Sequence, residues 1–300
     1  MRINVNITSR GDPAGLETVV RVLQMLESGA HQVKYILGLD NDDIESCVRM
    51  QNAFSSDNRV ILSIGERPIC VAEIANRCAK LFDADIYLPM GDDMVCITQH
   101  WDEIAVLMAD KWLLSDSQCL WAPEAAIAPL LSGTWYNALG YIFPEYFPYW
   151  FTETWLHEIY EFLTGMPVAI CGDLRFGGKL GKTRGMHELE FWWGFFNATR
   201  LERMQQACVL AGKLNRPVPS QKQLHDVFQK HVRHDFEIKG RIKQLEAYYR
   251  TSDKMSDQYK IAKKKAEKHL ADNGLSVWQF DPVDFAKKLP QPVEATASVV

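Results

Sequence analysis

The chain lacks the short signatures by which nucleotide and metal sites usually announce themselves. No Gly-x-Gly-x-x-Gly follows the first strand-like segment. Ser9-Arg10-Gly11-Asp12-Pro13-Ala14-Gly15 stands there instead, and no Walker loop occurs. The seven cysteines (Cys47, Cys70, Cys78, Cys96, Cys119, Cys171 and Cys208) form no Cys-x-x-Cys pair. An odd, scattered set gives no support to a structural zinc site and reads as reduced, buried thiols of a cytoplasmic protein. No stretch approaches the roughly 20 apolar residues that span a bilayer. The densest, 119–151, is interrupted by Pro123, Glu124, Pro144, Glu145 and Pro148. Met1 leads directly into the strand-like Ile3–Ile7, so no leader peptide and no membrane span are expected.

What is present is a large apolar and aromatic content. Of 300 residues, 47% are hydrophobic, with 9 Trp, 10 Tyr and 14 Phe, enough for one large domain or one domain with a smaller extension. The net charge of −5 is unevenly spread. Residues 200–289 carry 19 Lys/Arg against 11 Asp/Glu, whereas residues 1–199 carry 14 against 26. A basic C-terminal third points to an anionic partner, or to a solvated helical face, which is the commoner use of such a run.

The first 93 residues alternate strand and helix: strands at Arg2–Thr8, Gln32–Leu39, Arg59–Ile64 and Asp85–Met90, with helical spacing at Ala14–Ser28, Asp42–Phe54 and Pro68–Phe82. Strands separated by helices of this length imply a parallel α/β sheet covered on both faces. Ligands bind such sheets at the carboxyl ends of the strands. All four ends here are polar: Thr8, Ser9 and Arg10; Asp40, Asn41 and Asp42; Gly65, Glu66 and Arg67; and Asp92 with Asp93. Two adjacent carboxylates repel each other unless a cation lies beside them, and a hard divalent cation is the usual partner. Asp-Asp also serves turns and helix caps.

Beyond residue 94 the alternation fades. Helices are expected over Gln99–Ala109, from about Tyr149 to Leu163, over Glu188–Leu214, and at 221–236 and 238–272; short strands are expected at Gln118–Trp121 and Pro167–Cys171. The loop Leu174–Met186 has four glycines and four basic residues, a composition suited to wrapping a diphosphate. Three segments follow as domain expectations: 1–215, a basic helical region 216–289, and a tail 290–300 without a core pattern.

Several ordered features together resemble nucleotide-sugar glycosyltransferases of the GT-A fold. These are Thr8-Ser9-Arg10, Asp40-Asn41-Asp42, Gly65-Glu66-Arg67-Pro68 opening a helix with Asn76, and Met90-Gly91-Asp92-Asp93, which matches the family's Asp-x-Asp-type motif. Gly140-Tyr141-Ile142-Phe143-Pro144 followed by Glu153-Thr154-Trp155 resembles a stretch of bacteriophage-type members. The likeness spans about residues 1–200.

The resemblance implies a Rossmann-type sheet with a helical C-terminal extension, and Mn²⁺ or Mg²⁺ bridging the acids and the donor diphosphate. Asp93 is the implied direct ligand, with Asp92 beside it. His187 is the candidate third ligand, because Gly177-Gly178-Lys179 occupies the place where the family often has a histidine. Glu153 is the implied general base of an inverting transfer, with Glu158 and His157 in reserve. Donor contacts are expected from Thr8, Ser9, Arg10, Asp40, Asp42, Arg67, Asn76, Asp92, Lys179, Lys182 and Arg184, with a UDP-sugar the expected donor. The acceptor expectation is a hydroxymethylated base in DNA, met by the basic C-terminal region, or else a glycan or protein. The rival readings are a nucleotidyltransferase, for which Ser9–Gly15 is a poor phosphate loop, and a non-catalytic nucleotide-sugar-binding protein.

Overall fold

The structure, a computed structural model, describes residues 1–108, 119–120, 129–148, 151–168, 173–177, 187–249 and 257–278. Its centre is a six-stranded sheet in the order β3-β2-β1-β4-β7-β6. The strands β1 (Arg2–Thr8), β2 (Gln32–Asp40), β3 (Val60–Gly65) and β4 (Ile86–Gly91) run parallel. Alternation explains β1: Ile3, Val5 and Ile7 enter one apolar core, while Asn4 and Asn6 point to the opposite face, both fully buried. The short β7 (Leu130–Ser132) pairs antiparallel with β4, and β6 (Cys119–Leu120) pairs antiparallel with β7.

Helix α1 (Pro13–Leu26) begins at Asp12, whose side chain accepts from the Gly15 N–H at 2.9 Å. Helix α2 (Ile44–Phe54) is capped by Asp43 in the same way, at 3.3 Å from the Ser46 N–H. Leu16, Val19, Val20, Met50 and Phe54 from these helices cover the Ile3–Ile7 face. Helix α3 (Val71–Ala79) covers the other face and sits very close to β2. A side chain at Gly38 would place its Cβ 2.2 Å from Ile74 Cγ2, so this contact requires glycine. Pro68 therefore precedes the helix rather than opening it.

The remaining elements are β5 (Val95–Cys96), α4 (Trp101–Met108), α5 (Gly133–Leu139), α6 (Thr152–Thr164), β8 (Phe176–Gly177), α7 (Leu189–Ala198), α8 (Arg200–Lys213), α9 (Gln221–Tyr249) and α10 (Asp257–Asp272), with β5 and β8 forming a separate antiparallel pair. Helix α6 ends at Gly165 in the left-handed conformation (φ 74°), as the sequence predicts. The expected helix 188–214 is two helices. Thr199 leaves helical geometry (φ −90°, ψ 12°), and its hydroxyl bonds the Phe195 carbonyl at 2.9 Å. The expected break near residue 237 is absent, since α9 runs through it. The strand expected at Pro167–Cys171 lies outside the described residues beyond Val168, as does the whole of 290–300. An aromatic core built from Trp135, Phe147, Phe151, Trp155, Trp192, Phe195 and Phe196 joins α5–α10. Among the described residues, no helix is long and apolar enough to cross a membrane.

Candidate active site

The four parallel strands deliver their carboxyl ends to one edge of the sheet, where a cavity of about 250 Å³ opens. Its polar side is made by Thr8, Ser9, Arg10, Asp40, Arg67, Gly91 and Asp92. Pro68, Ile69, Cys70, Val71 and Ile74 form an apolar wall, and Pro148 and Gln258 complete the lining. Six residues expected from the sequence to meet a nucleotide-sugar thus share one cavity: Thr8, Ser9, Arg10, Asp40, Arg67 and Asp92.

Arg10 organises the first two strand ends. Its Nη1 donates to Asp40 Oδ2 and Asp42 Oδ1, each at 2.6 Å, and its Nη2 to Asp42 Oδ2 at 3.0 Å. Hydrogen bonds and charge from Arg10 hold the Asp42 carboxyl below the ordinary range. Asp43 fixes the turn, accepting the Gly11 N–H at 2.8 Å. Asp40 is 2% exposed, and its second oxygen, Oδ1, has no hydrogen-bond partner among the described residues. A buried acceptor left open costs free energy unless a ligand or water fills it. Arg67 is exposed and makes no hydrogen bond or ion pair among the described residues, though its charge reaches Asp42. Burial pushes the Cys70 thiol up to about 12, so it lines the cavity as an apolar group.

At the fourth strand end, the Ser9 hydroxyl donates to Asp92 Oδ2 in a short contact. Burial raises the Asp92 carboxyl above its ordinary value, the Ser9 bond opposes this, and the charge of Asp93 adds to it. Asp93 is exposed. A divalent cation would relieve this charge. Among the described residues, however, no group of three or more His, Cys, Asp or Glu side chains is placed to hold one. Asp92 and Asp93 would be the one or two carboxylates of a site in which phosphate oxygens supply other ligands.

Four sequence expectations are corrected by the geometry or lie outside it. His187 does not join the aspartates in a ligand group; its ring packs edge-on to Tyr259 at 5.8 Å in an apolar niche with Phe147, Phe151 and Trp192. Asn76 is buried beneath the site and serves the backbone. Its Oδ1 accepts from the Ile142 and Phe143 N–H groups at 2.7 and 3.1 Å, and its Nδ2 donates to the Phe143 carbonyl at 2.9 Å. Glu158 is a structural charge: Arg200 Nη2 and Arg203 Nε donate to it at 2.8 and 2.6 Å. Burial opposes its ionisation, but the charges of Arg200, Arg203 and His231 hold the carboxyl below its ordinary value. Lys179, Lys182 and Arg184 lie outside the described residues.

Glu153 stands in the first turn of α6, half-buried and outside the cavity lining. Desolvation raises its carboxyl above the ordinary value, while a 2.8 Å bond from the Thr152 hydroxyl opposes the shift. His157 is pushed down by burial. Gln258 and the 68–74 wall were not foreseen. Gln258 lies 166 residues beyond Asp92, and a polar residue on a basic helix carries no local signal of its position.

No protein-family model matches the chain, and no curated protein matches it. Solved structures do. One is S. aureus TarS, residues 1–349, in complex with UDP-GlcNAc: 10% identity, TM-score 0.54, covering 94% of this chain and 97% of that one. The fold is that of GT-A glycosyltransferases. Weaker likenesses, which carry no argument, are a mannosyltransferase from Pyrobaculum calidifontis with GDP-Man and Mn²⁺ (12% identity, TM-score 0.48, 91% and 79% covered), and glucosyl-3-phosphoglycerate synthase from Mycobacterium tuberculosis with Mn²⁺, UDP and phosphoglyceric acid (13%, 0.44, 72% and 79%). None of the three is described as a bacteriophage protein, so that part of the expected likeness has no support.

Proposed function

We propose that the chain is a glycosyltransferase that takes its sugar from a nucleoside-diphosphate donor seated across the strand ends. The observation that carries this reading is the cavity itself, where Asp40 Oδ1 and the Arg67 guanidinium have no hydrogen-bond partner among the described residues and Asp92, with Asp93 next to it in the chain, adds a carboxylate. Asp40 Oδ1 would accept a hydrogen bond from the base or ribose. Arg67 would meet the diphosphate. Asp92 and Asp93 would hold Mn²⁺ or Mg²⁺ together with diphosphate oxygens, and the bound cation supplies neutralisation of charge on the departing nucleoside diphosphate. A UDP-sugar is the first donor to test, since the TarS structures of like fold carry UDP-GlcNAc and UDP.

In the direct, inverting route, the acceptor oxygen attacks the anomeric carbon as the bond to the diphosphate breaks. The acceptor's proton passes to Glu153, in the first turn of α6. The acceptor is a hydroxyl of a glycan or protein. Duplex DNA is the less favoured acceptor, because three of the lysines on α10 pair within the chain. Lys263 pairs with Glu188 at 2.5 Å, Lys265 with Glu73 at 3.4 Å and Lys268 with Asp272 at 2.5 Å.

The test is release of free nucleoside diphosphate from UDP-GlcNAc, UDP-glucose and GDP-mannose with Mn²⁺, in wild type and Glu153→Gln. Release from one donor, lost in the variant while donor binding persists, is expected. Release that is unchanged in the variant removes Glu153 from the mechanism. Absence of both release and binding with every donor overturns the proposal.

A further inference from the structure

The first turn of the basic helix α10 reaches the cavity. Gln258 lines it opposite the strand ends, and among the described residues its amide makes no hydrogen bond. Seven positions on, two helical turns along the same face, Lys265 donates to Glu73 Oε1 at 3.4 Å. The other oxygen of Glu73 accepts the Ile69 N–H at 3.3 Å, and Ile69 is itself part of the apolar wall. Ala262, between the two, is buried, and His269, one further turn along, meets Glu202 at 3.3 Å. One face of α10 is therefore tied to α3 beside the cavity wall and to α8, and its Gln258 amide lines the cavity with no hydrogen bond among the described residues.

We propose that α10 is the closing wall of the donor site, that the Gln258 amide donates to an oxygen of the bound nucleoside diphosphate, and that the Lys265–Glu73 link positions it. This rests on the donor reading above. A neutral amide suits the place: it adds a donor without adding charge beside Asp40 and Asp92, whereas a carboxylate there would repel the diphosphate.

The experiment is calorimetric titration of the full chain with UDP, and in parallel GDP, in the presence of Mn²⁺, with urea midpoints recorded for every variant. Gln258→Ala is expected to weaken binding roughly three- to tenfold, as for loss of one hydrogen bond. Gln258→Glu, of the same size, is expected to weaken it more. Lys265→Met and Glu73→Gln should each weaken binding less than Gln258→Ala and add little to it when combined with that variant, because they act through the same contact. Wild type that binds while both Gln258 variants bind equally well overturns this inference and leaves the donor reading standing. Wild type that binds neither nucleotide overturns the donor reading, and this inference with it.

Discussion

The two halves of the molecule use charge in opposite ways. In the α/β half, acids and arginines stand at the rim of the sheet, where Arg10, Asp40, Arg67 and Asp92 line a cavity and Asp40 Oδ1 has no hydrogen-bond partner among the described residues. In the helical half, charge is sealed inside: Glu158, Arg200, Arg203 and Asp235 are each at most 3% exposed and bond one another across α6, α8 and α9. Arg203 also lies over the Phe196 ring at 3.9 Å. The same residue types are binding groups in one setting and struts in the other. The cavity separates the two roles better than burial or an open valence does: Asp40 is as buried as Glu158, and among the described residues Arg200 Nη1, like Asp40 Oδ1, has no hydrogen-bond partner, but only Asp40 of these lines the cavity.

The largest effect that would sharpen this contrast is on stability. Glu158→Leu leaves Arg200 and Arg203 without their shared acceptor, and is expected to cost about 3–5 kcal/mol in urea unfolding. A loss well under 1 kcal/mol would break the contrast. The pH dependence has a definite sign. Folding depresses the carboxyls of Glu158 and Glu161, the latter because His231 and Lys230 outweigh its burial. Their stabilisation is therefore complete above the unfolded-state value and is lost as pH falls through the depressed folded values. Tryptophan fluorescence, with Trp155 on α6 and Trp192 and Trp193 on the neighbouring α7, should report loosening of this half on acidification from pH 5 downward; a signal unchanged until the whole chain unfolds would contradict it.

Next in size is Asn76→Leu, which strands the buried N–H groups of Ile142 and Phe143. The expected cost is about 2–4 kcal/mol, with nucleotide affinity per folded molecule unchanged. A selective loss of affinity would return Asn76 to the donor site. The smallest effect is Lys264→Ala, on the exposed side of α10. Stability should move by no more than about 0.5 kcal/mol, and nucleotide affinity not at all; a marked loss of affinity would show that free surface charge on α10 matters.

The contrast also governs what could be read before the structure. The parallel strands were legible to within a residue or two, because β1, β2 and β4 are apolar runs bounded by polar turns and α1 and α2 open on capping aspartates. Six of the expected donor residues converge for the same reason: strand ends in a parallel sheet share an edge. The two-residue strands β5 and β8 and the three-residue β7 are too short to carry a period. The break at Thr199 has no glycine or proline to mark it. The contacts that Asn76, Glu158 and His187 make were not legible, because an isolated polar residue does not disclose its partners. Those partners lie 42 to 72 residues away in sequence, and only packing brings them together.

The most direct test is calorimetric titration of UDP with Mn²⁺ into wild type, Asp40→Asn and Asp92→Asn. The expected result is binding in wild type, weakened about tenfold or more in both variants while their urea midpoints stay near that of wild type. Equal UDP affinity in all three proteins would contradict a donor site at the strand ends.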